Sequence, residues 1–319
     1  MSGRYAPSPS GPLHLGNLRT ALLAWLQARL AAQPFILRME DLDLPRIKPG
    51  SSEQIIKELH WLGLDWDEGP DCGGPATPYE QSARNPQYQQ AFQQLLDNDL
   101  IYPCYCSRKD IQNAASAPHA HEYGSIYPGT CRDVKQRAEM KQRHPDKTAA
   151  WRYRVPKRTI TFEDRIIGVV SQSLDQEVGD FVIKRADGLF AYQLAVVVDD
   201  GMMGITDVVR GADLLDSTAR QIELFEALSY PVPTFWHVPL MVDETGARLS
   251  KRDGSDSLEV WRQQGKSADD VVGYLAFTVG LIDEERPVSA QELRQGLTLE
   301  LFRKKLSTPN TLGTPRRAE

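Results

Sequence analysis

Three short stretches carry residue types that do chemistry. Near the N-terminus, "APSPSGPLHLGN" sets His14 between a proline-stiffened turn and Gly16–Asn17, where an apolar helix begins. A glycine behind a first strand lets a ligand approach the backbone, and a helix N-terminus offers unpaired N–H groups to anions. His14 stands at that mouth, placed to donate to a phosphate oxygen; the plainer reading is a histidine that only caps the helix. Far along the chain, "ARLSKRDG" puts Lys251 between Ser250 and Arg252, with Gly246 and Gly254 on either side. Alone it reads as a solvated basic loop. Its value is in the pairing, because both stretches follow a strand of one presumed sheet and can face one ligand at the carboxyl ends of parallel strands. The third stretch is Cys104-Tyr-Cys106 with Tyr127-Pro-Gly-Thr-Cys131. Three clustered thiols suggest structural zinc, which takes four tetrahedral ligands, so the fourth must be of another type. His119 and His121 lie in the same loop and are chemically good zinc ligands, while Cys72 stands apart as a lone thiol.

Alternating elements must position the first two stretches. A strand over Gly3–Ala6 precedes a helix over Asn17–Ala32, a strand over Phe35–Glu40, and helices near Ser51–Leu62 and Gln81–Asn98. Ile55, Ile56, Leu59 and Leu62 give the first of these last two an apolar face. Alternation of this kind predicts an α/β fold with a doubly wound parallel sheet. Between residues 101 and 190 the pattern changes to short β-rich pieces, "AWRYRV", "RTITFED" and "GVVSQS", which read as an insert. Alternation then resumes: "LFAYQLAVVVDD", "ITDVVRG" and "FWHVPLMV" are expected as buried strands, with a helix in "DLLDSTARQIELFEAL" starting near Asp213 or Asp216. Short helices follow at Leu258–Gln264 and Ser267–Leu281, and residues 307–319 read as a disordered tail.

Composition excludes several classes. The 319 residues are 41% hydrophobic and 25% charged, as in an ordinary globular enzyme. The longest apolar stretch, Thr20–Ala32, is cut by Gln27 and Arg29 and does not span a bilayer. Arg4 already sits in the first strand, so no signal peptide is expected and the cytoplasm is the expected compartment. Four cysteines do not make a disulfide scaffold at this length. A net charge of −6 argues against generic polyanion binding, so nucleic acid would be met through a local basic patch. Arg132, Lys135, Arg137, Lys141, Arg143 and Lys147 form such a run; with Asp133, Glu139 and Asp146 interleaved it reads either as a solvated helix or as a surface tracking nucleic-acid phosphates.

"PSPSGPLHLGN" together with "RLSKR" resembles the two ATP-binding signatures of class I aminoacyl-tRNA synthetases, and "RYAPSPSG", "RMEDLD", "AYQLAVVVDD" and "VVRGADLLDST" resemble the glutamyl branch. Asn17 stands where the first signature has its second histidine. The resemblance implies a Rossmann core and places ATP contacts at His14, Gly16, Asn17, Ser250 and Lys251, with His14 and Lys251 catalytic. It places L-glutamate contacts at Arg4, Ser8, Glu40, Tyr192 and Arg210. The residue types suit that ligand: a guanidinium fork matches a carboxylate, and an acid matches an α-ammonium. Activation is attack of the glutamate α-carboxylate on the α-phosphate of ATP, helped by Lys251, His14 and Mg²⁺.

The chain is expected to lack the anticodon-reading domain of the full glutamyl enzymes. That likens it to a shortened branch of the family, which transfers glutamate to the queuosine base in the anticodon of tRNA(Asp). The alternative is a catalytic fragment charging a tRNA 3′ end. The shortened branch implies Tyr127 as the fourth ligand of one structural zinc with Cys104, Cys106 and Cys131, where full-length relatives use a position that is Asp133 here. The expected division is 1–100 and 191–242 for the Rossmann halves, 101–190 for the insert, 243–306 for the lysine loop and helical C-terminal segment, and 307–319 for the tail. Expected partners are L-glutamate, ATP and the tRNA(Asp) anticodon stem-loop, with no membrane, for a monomer.

Overall fold

A computed structural model describes residues 1–115, 126–241 and 257–307. Its strands are β1 (Gly3–Tyr5), β2 (Phe35–Leu37), β3 (Ile101–Cys104), β4 (Ala150–Tyr153), β5 (Thr159–Asp164), β6 (Gly168–Ser173), β7 (Val182–Lys184), β8 (Asp207–Gly211) and β9 (Thr234–Val238). Its helices are α1 (Leu15–Leu30), α2 (Ser51–Trp61), α3 (Asn85–Asp97), α4 (Arg108–Ala115), α5 (Val134–Arg143), α6 (Tyr192–Met202), α7 (Thr218–Ala227), α8 (Leu258–Gln263), α9 (Ala268–Thr278), α10 (Ala290–Gly296) and α11 (Leu299–Leu306).

Four strands from the two ends of the sequence make one parallel sheet in the order β2-β1-β8-β9. The expected parallel α/β core is therefore present, assembled across the intervening segment. That segment builds separate antiparallel structure: a β3-β4-β7 sheet and a β5-β6 hairpin. The hairpin does not stand free, since Arg165 N donates to Phe235 O in β9 at 3.0 Å.

Helix α1 is apolar nearly all round because it is covered on several sides, by β1 and β8 and by α9, α10 and α11. Gly3 permits the close approach on the sheet side, since a Cβ there would stand 3.1 Å from Cβ of Ala28. No described helix is long and apolar enough to cross a membrane.

Two expectations are corrected. "YQLAVVVDDGM" is helix α6, not a strand. Its Leu194–Val198 run is buried throughout, so the helical period is masked and the three valines mimic a strand. Packing decides: Gly201 lets Tyr230 lie against the helix, where a Cβ would meet its ring at 2.4 Å. Of the two helix starts expected, Asp213 falls in a 3₁₀ turn over Ala212–Ser217, and α7 starts at Thr218, two residues past the other, Asp216. The expected tail beyond residue 307 lies outside the described residues.

Candidate active site and cysteine cluster

A cavity of about 430 Å³ opens beyond the carboxyl ends of β1, β8 and β9. Arg4, Ser8, Glu40, Tyr192 and Arg210 all line it, together with His14, Gly16 and Asn17. The first five are the positions expected to meet an amino acid, and the last three those expected to meet a nucleotide. Ser250 and Lys251 lie outside the described residues.

His14 is the N-cap of α1, and its Nδ1 accepts from the backbone N–H of Asn17 at 3.3 Å. That fixes the neutral ring with its proton on Nε2, as a donor. Capping uses Nδ1, so it does not conflict with the phosphate contact expected through Nε2. Gly16 lets the ring lie across the helix start, because a Cβ would stand 3.1 Å from His14 Nδ1 and Cε1. With no acidic residue in the first turn, the positive end of the helix dipole is left for an anion.

The two arginines of the amino-acid end differ sharply. Arg4 is buried and already paired: its Nε and Nη2 donate to the two oxygens of Asp200 at 3.3 and 3.4 Å, and its Nη1 to Val209 O at 3.3 Å. Asp200 also takes Arg38 Nη1 at 2.7 Å. Burial alone would raise its pKa, but Arg4 and Arg38 outweigh that and hold it below the usual carboxylate range. Arg38 reaches on to Glu40 at 3.3 Å and Asp199 at 3.7 Å. Asp199 in turn is held by Arg84 Nε at 2.6 Å, Gln81 and Tyr88. Glu40 is pushed up by burial, against the pull of Arg38 and Arg4.

Arg210, by contrast, ends on neutral acceptors. Its Nε donates to His237 Nε2 at 3.0 Å, Nη1 to Gln221 Oε1 at 2.6 Å and Nη2 to Thr218 Oγ1 at 2.8 Å. Among the described residues no carboxylate pairs with it, although it is only 4% exposed. Burial accordingly lowers its pKa. A desolvated cation in contact with no carboxylate, lining a cavity, favours a carboxylate ligand.

The second site lies in the intervening segment. Cys104, Cys106 and Cys131 bring their sulfurs within 4.8 Å of one another, all buried. The Tyr127 hydroxyl joins them, 3.4 Å from Cys104 Sγ and 3.5 Å from Cys106 Sγ, and accepts from Cys131 N at 2.7 Å. Gly129 (φ 80°) turns the chain so that Tyr127 and Cys131 meet. Arg152 lies 3.8 Å above the Tyr127 ring and donates to Cys104 Sγ at 3.4 Å. Hydrogen bonds from Cys106 and Cys131 hold the Cys104 thiol well below its ordinary pKa. Three thiols and a phenol oxygen are a donor set that fits a small tetrahedral cation. Asp133 is engaged elsewhere, capping α5 through Lys135 N and Gln136 N, and His119 and His121 lie outside the described residues.

Sequence reasoning did not single out Asp199, Asp200, Thr218, Gln221 or the His237–Asp164 pair. One signal was visible: two adjacent aspartates ending an apolar run, which are stable inside only when paired.

Residues 1–308 match the family "tRNA synthetases class I (E and Q), catalytic domain". The chain belongs to this family of synthetases. Similar relatives are the glutamyl-Q tRNA(Asp) synthetases of Symbiobacterium thermophilum, 51% identical over 92% of this chain and 91% of that protein, and of Nitratidesulfovibrio vulgaris, 46% identical over 89% and 88%. Among solved structures, the synthetase resembles the glutamate-tRNA synthetase of Elizabethkingia anophelis with a TM-score of 0.80 and 30% identity, covering 94% of this chain but 66% of that longer one. Synthetases of this class use ATP, which suits the anion-ready start of α1 in the cavity.

Proposed function

We propose that the synthetase activates L-glutamate with ATP to glutamyl-adenylate and transfers the glutamyl group to the queuosine base in the anticodon of tRNA(Asp). The observation that carries the first half is Arg210: a buried guanidinium without a carboxylate partner among the described residues, lining the same cavity as Glu40. The second half rests on the relatives, which match over nine tenths of the chain and are named for that tRNA.

In this reading Arg210 receives the side-chain carboxylate, Arg4 stands beside it, and Glu40 faces the α-ammonium, with Ser8 and Tyr192 as neutral donors. The α-carboxylate attacks the α-phosphate of ATP and pyrophosphate leaves. A hydroxyl of the modified base then attacks the acyl carbon and AMP leaves. Neither step needs a protein nucleophile; positioning and charge neutralisation suffice. His14 Nε2–H and the Gly16–Asn17 backbone bind phosphate, with Ser250 and Lys251 adding to that end and Mg²⁺ accompanying the nucleotide. The cysteine cluster with Tyr127 holds one structural zinc, which ties the intervening segment together. We place the divisions at 1–100, 101–190, 191–242, 243–306 and 307–319; the separation of the parallel sheet from the antiparallel pieces supports the first three. We assign a monomeric, cytoplasmic enzyme.

The test is transfer of labelled glutamate to tRNA(Asp) with and without queuosine, and to its isolated anticodon stem-loop. Acceptance only with the modified base is expected. Since both arginines are fixed by partners within the free chain, glutamate-dependent pyrophosphate exchange should proceed without tRNA. Efficient charging of a tRNA(Glu) 3′ end would overturn the assignment in favour of the activity for which the structural neighbours are named.

A further inference from the structure

We propose that Asp164, on strand β5 of the intervening segment, is a positioning residue for amino-acid selection, acting through His237 to hold the Arg210 guanidinium that receives the glutamate side chain. This rests on the glutamate reading given above.

The relay crosses between two parts of the fold. Asp164 closes β5 and reaches strand β9, where its Oδ2 stands 2.6 Å from His237 Nδ1. Both side chains are fully buried. The carboxylate also accepts from Ile166 N at 3.0 Å, Ile167 N at 2.9 Å and His237 N at 3.1 Å. Burial would raise the Asp164 pKa, but the His237 and backbone donors outweigh it, so the group is ionised. Burial keeps His237 neutral. A neutral imidazole beside a carboxylate places its proton on Nδ1. Nε2 is then bare, and it is the atom that accepts Arg210 Nε–H at 3.0 Å.

The other two acceptors are oriented in the same manner. Thr218 Oγ1 accepts from Arg210 and stands 3.2 Å from the bare His237 Nε2, toward which its own proton is directed. Gln221 Oε1 accepts from Arg210, while its amide donates to Gln193 Oε1 at 2.8 Å, and Gln193 donates to Ser217 Oγ at 3.0 Å. His237 and Gln221 each have the accepting atom turned to Arg210 by a further bond behind it.

The interposed ring explains why the carboxylate is not in contact with the guanidinium. Direct contact would neutralise Arg210 and make the pocket indifferent to a ligand carboxylate. Through the imidazole, Asp164 supplies orientation while the cation stays available. The hairpin of the intervening segment thereby contributes to choosing the amino acid.

Asp164→Asn tests this, because Ile166 N–H and Ile167 N–H hold the amide oxygen at the Oδ1 place, so its NH2 faces His237 Nδ1, favours the other tautomer and turns Nε2–H against Arg210. In pyrophosphate exchange the KM for glutamate should rise about tenfold or more while that for ATP stays within about twofold. His237→Gln, which keeps an acceptor where Nε2 stands, should hold the glutamate KM within about threefold, and His237→Leu should lose it as Asp164→Asn does. An unchanged glutamate KM, or equal rises for both substrates, would overturn the role. Should the variants not fold, imidazole ¹⁵N shifts of the wild-type chain decide: Nδ1–H at His237 supports the relay and Nε2–H refutes it. Wild-type protein inert toward glutamate would overturn the function itself and this role with it, leaving the tautomer result unaffected.

Discussion

Arg4 and Arg210 are interchangeable as sequence features, yet their partners predict opposite consequences of removal. Replacing Arg210 by Met takes out a buried cation that no carboxylate contacts among the described residues, together with three hydrogen bonds to neutral acceptors. Bonds to a charged group are worth about 1.5–3 kcal/mol each, and relief of a desolvation cost of several kcal/mol opposes their loss, so stability should change by roughly 1 kcal/mol or less. Arg4→Ala is different, because it leaves Asp200, whose side chain is 3% exposed, with Arg38 alone. Breaking a buried pair costs about 3–5 kcal/mol, and the surviving Arg38 contact reduces that to roughly 2–3. At about 2 °C per kcal/mol for a chain of this size, the Tm should fall by about 4–6 °C for Arg4→Ala and by about 2 °C or less for Arg210→Met. Function should be lost in Arg210→Met all the same. A charge-assisted fork in a desolvated pocket is worth about 2–4 kcal/mol, or roughly 30- to 1,000-fold in kcat/KM for glutamate, with the KM for ATP unchanged. Thermal unfolding and pyrophosphate exchange, run on the same preparations, read both quantities. If Arg210→Met lost as much Tm as Arg4→Ala, or raised both KM values equally, the distinction between a structural and a ligand-facing arginine would be wrong.

Two further outcomes are expected. Freshly purified protein should carry one zinc per chain, and Tyr127→Phe should weaken its retention against a chelator by about tenfold or more while pyrophosphate exchange persists, since the cluster has its own small core; elemental analysis without zinc would refute the assignment. Acid should destabilise the fold through Asp200. Its folded pKa lies below the ordinary 3.8, so its contribution is full above that value and is lost as pH falls through it toward the lowered one. Asp200→Asn should therefore start from a lower Tm at neutral pH and decline less steeply than wild type below about pH 5, and parallel declines would contradict it.

What the sequence conveyed was mostly local. A proline-rich turn, a histidine and a glycine ahead of an apolar helix describe an anion-binding helix start, and α1 begins there with His14 as its cap. Two cysteines one residue apart and a Tyr-x-x-x-Cys turn are likewise short-range, and their side chains meet. The failures came where burial removes periodicity or where partners lie far apart. Helix α6 hid because all sides of Leu194–Val198 face protein. Asp164 and His237 sit 73 residues apart on strands of different sheets, and no spacing rule connects a hairpin end to a core strand. Asp199 and Asp200 reach arginines from three other segments, a set that only the assembled fold defines.

The buried arginines make one more point about how charge marks a site. Six are buried among the described residues: Arg4, Arg19, Arg38, Arg84, Arg152 and Arg210. Arg4, Arg38 and Arg84 end on Asp199, Asp200 and Glu40, a set of three cations and three acids of which Arg4 and Glu40 line the cavity. The other three pair with no carboxylate among the described residues. Arg210 meets His237, Gln221 and Thr218; Arg19 meets the Pro239 carbonyl at 2.6 Å and the Thr278 hydroxyl; Arg152 meets Cys104 Sγ and the Asp180 carbonyl at 2.8 Å. Arg19 and Arg210 both line the cavity, and Arg152 covers the cysteine cluster. Burial pulls Arg19 down to about 10, a desolvation cost that a bound anion would offset. An unbalanced buried cation is unfavourable unless something negative arrives. Arg210 and Arg19 line the cavity proposed to take glutamate and ATP, and Arg152 lies against the cysteine cluster proposed to hold a metal.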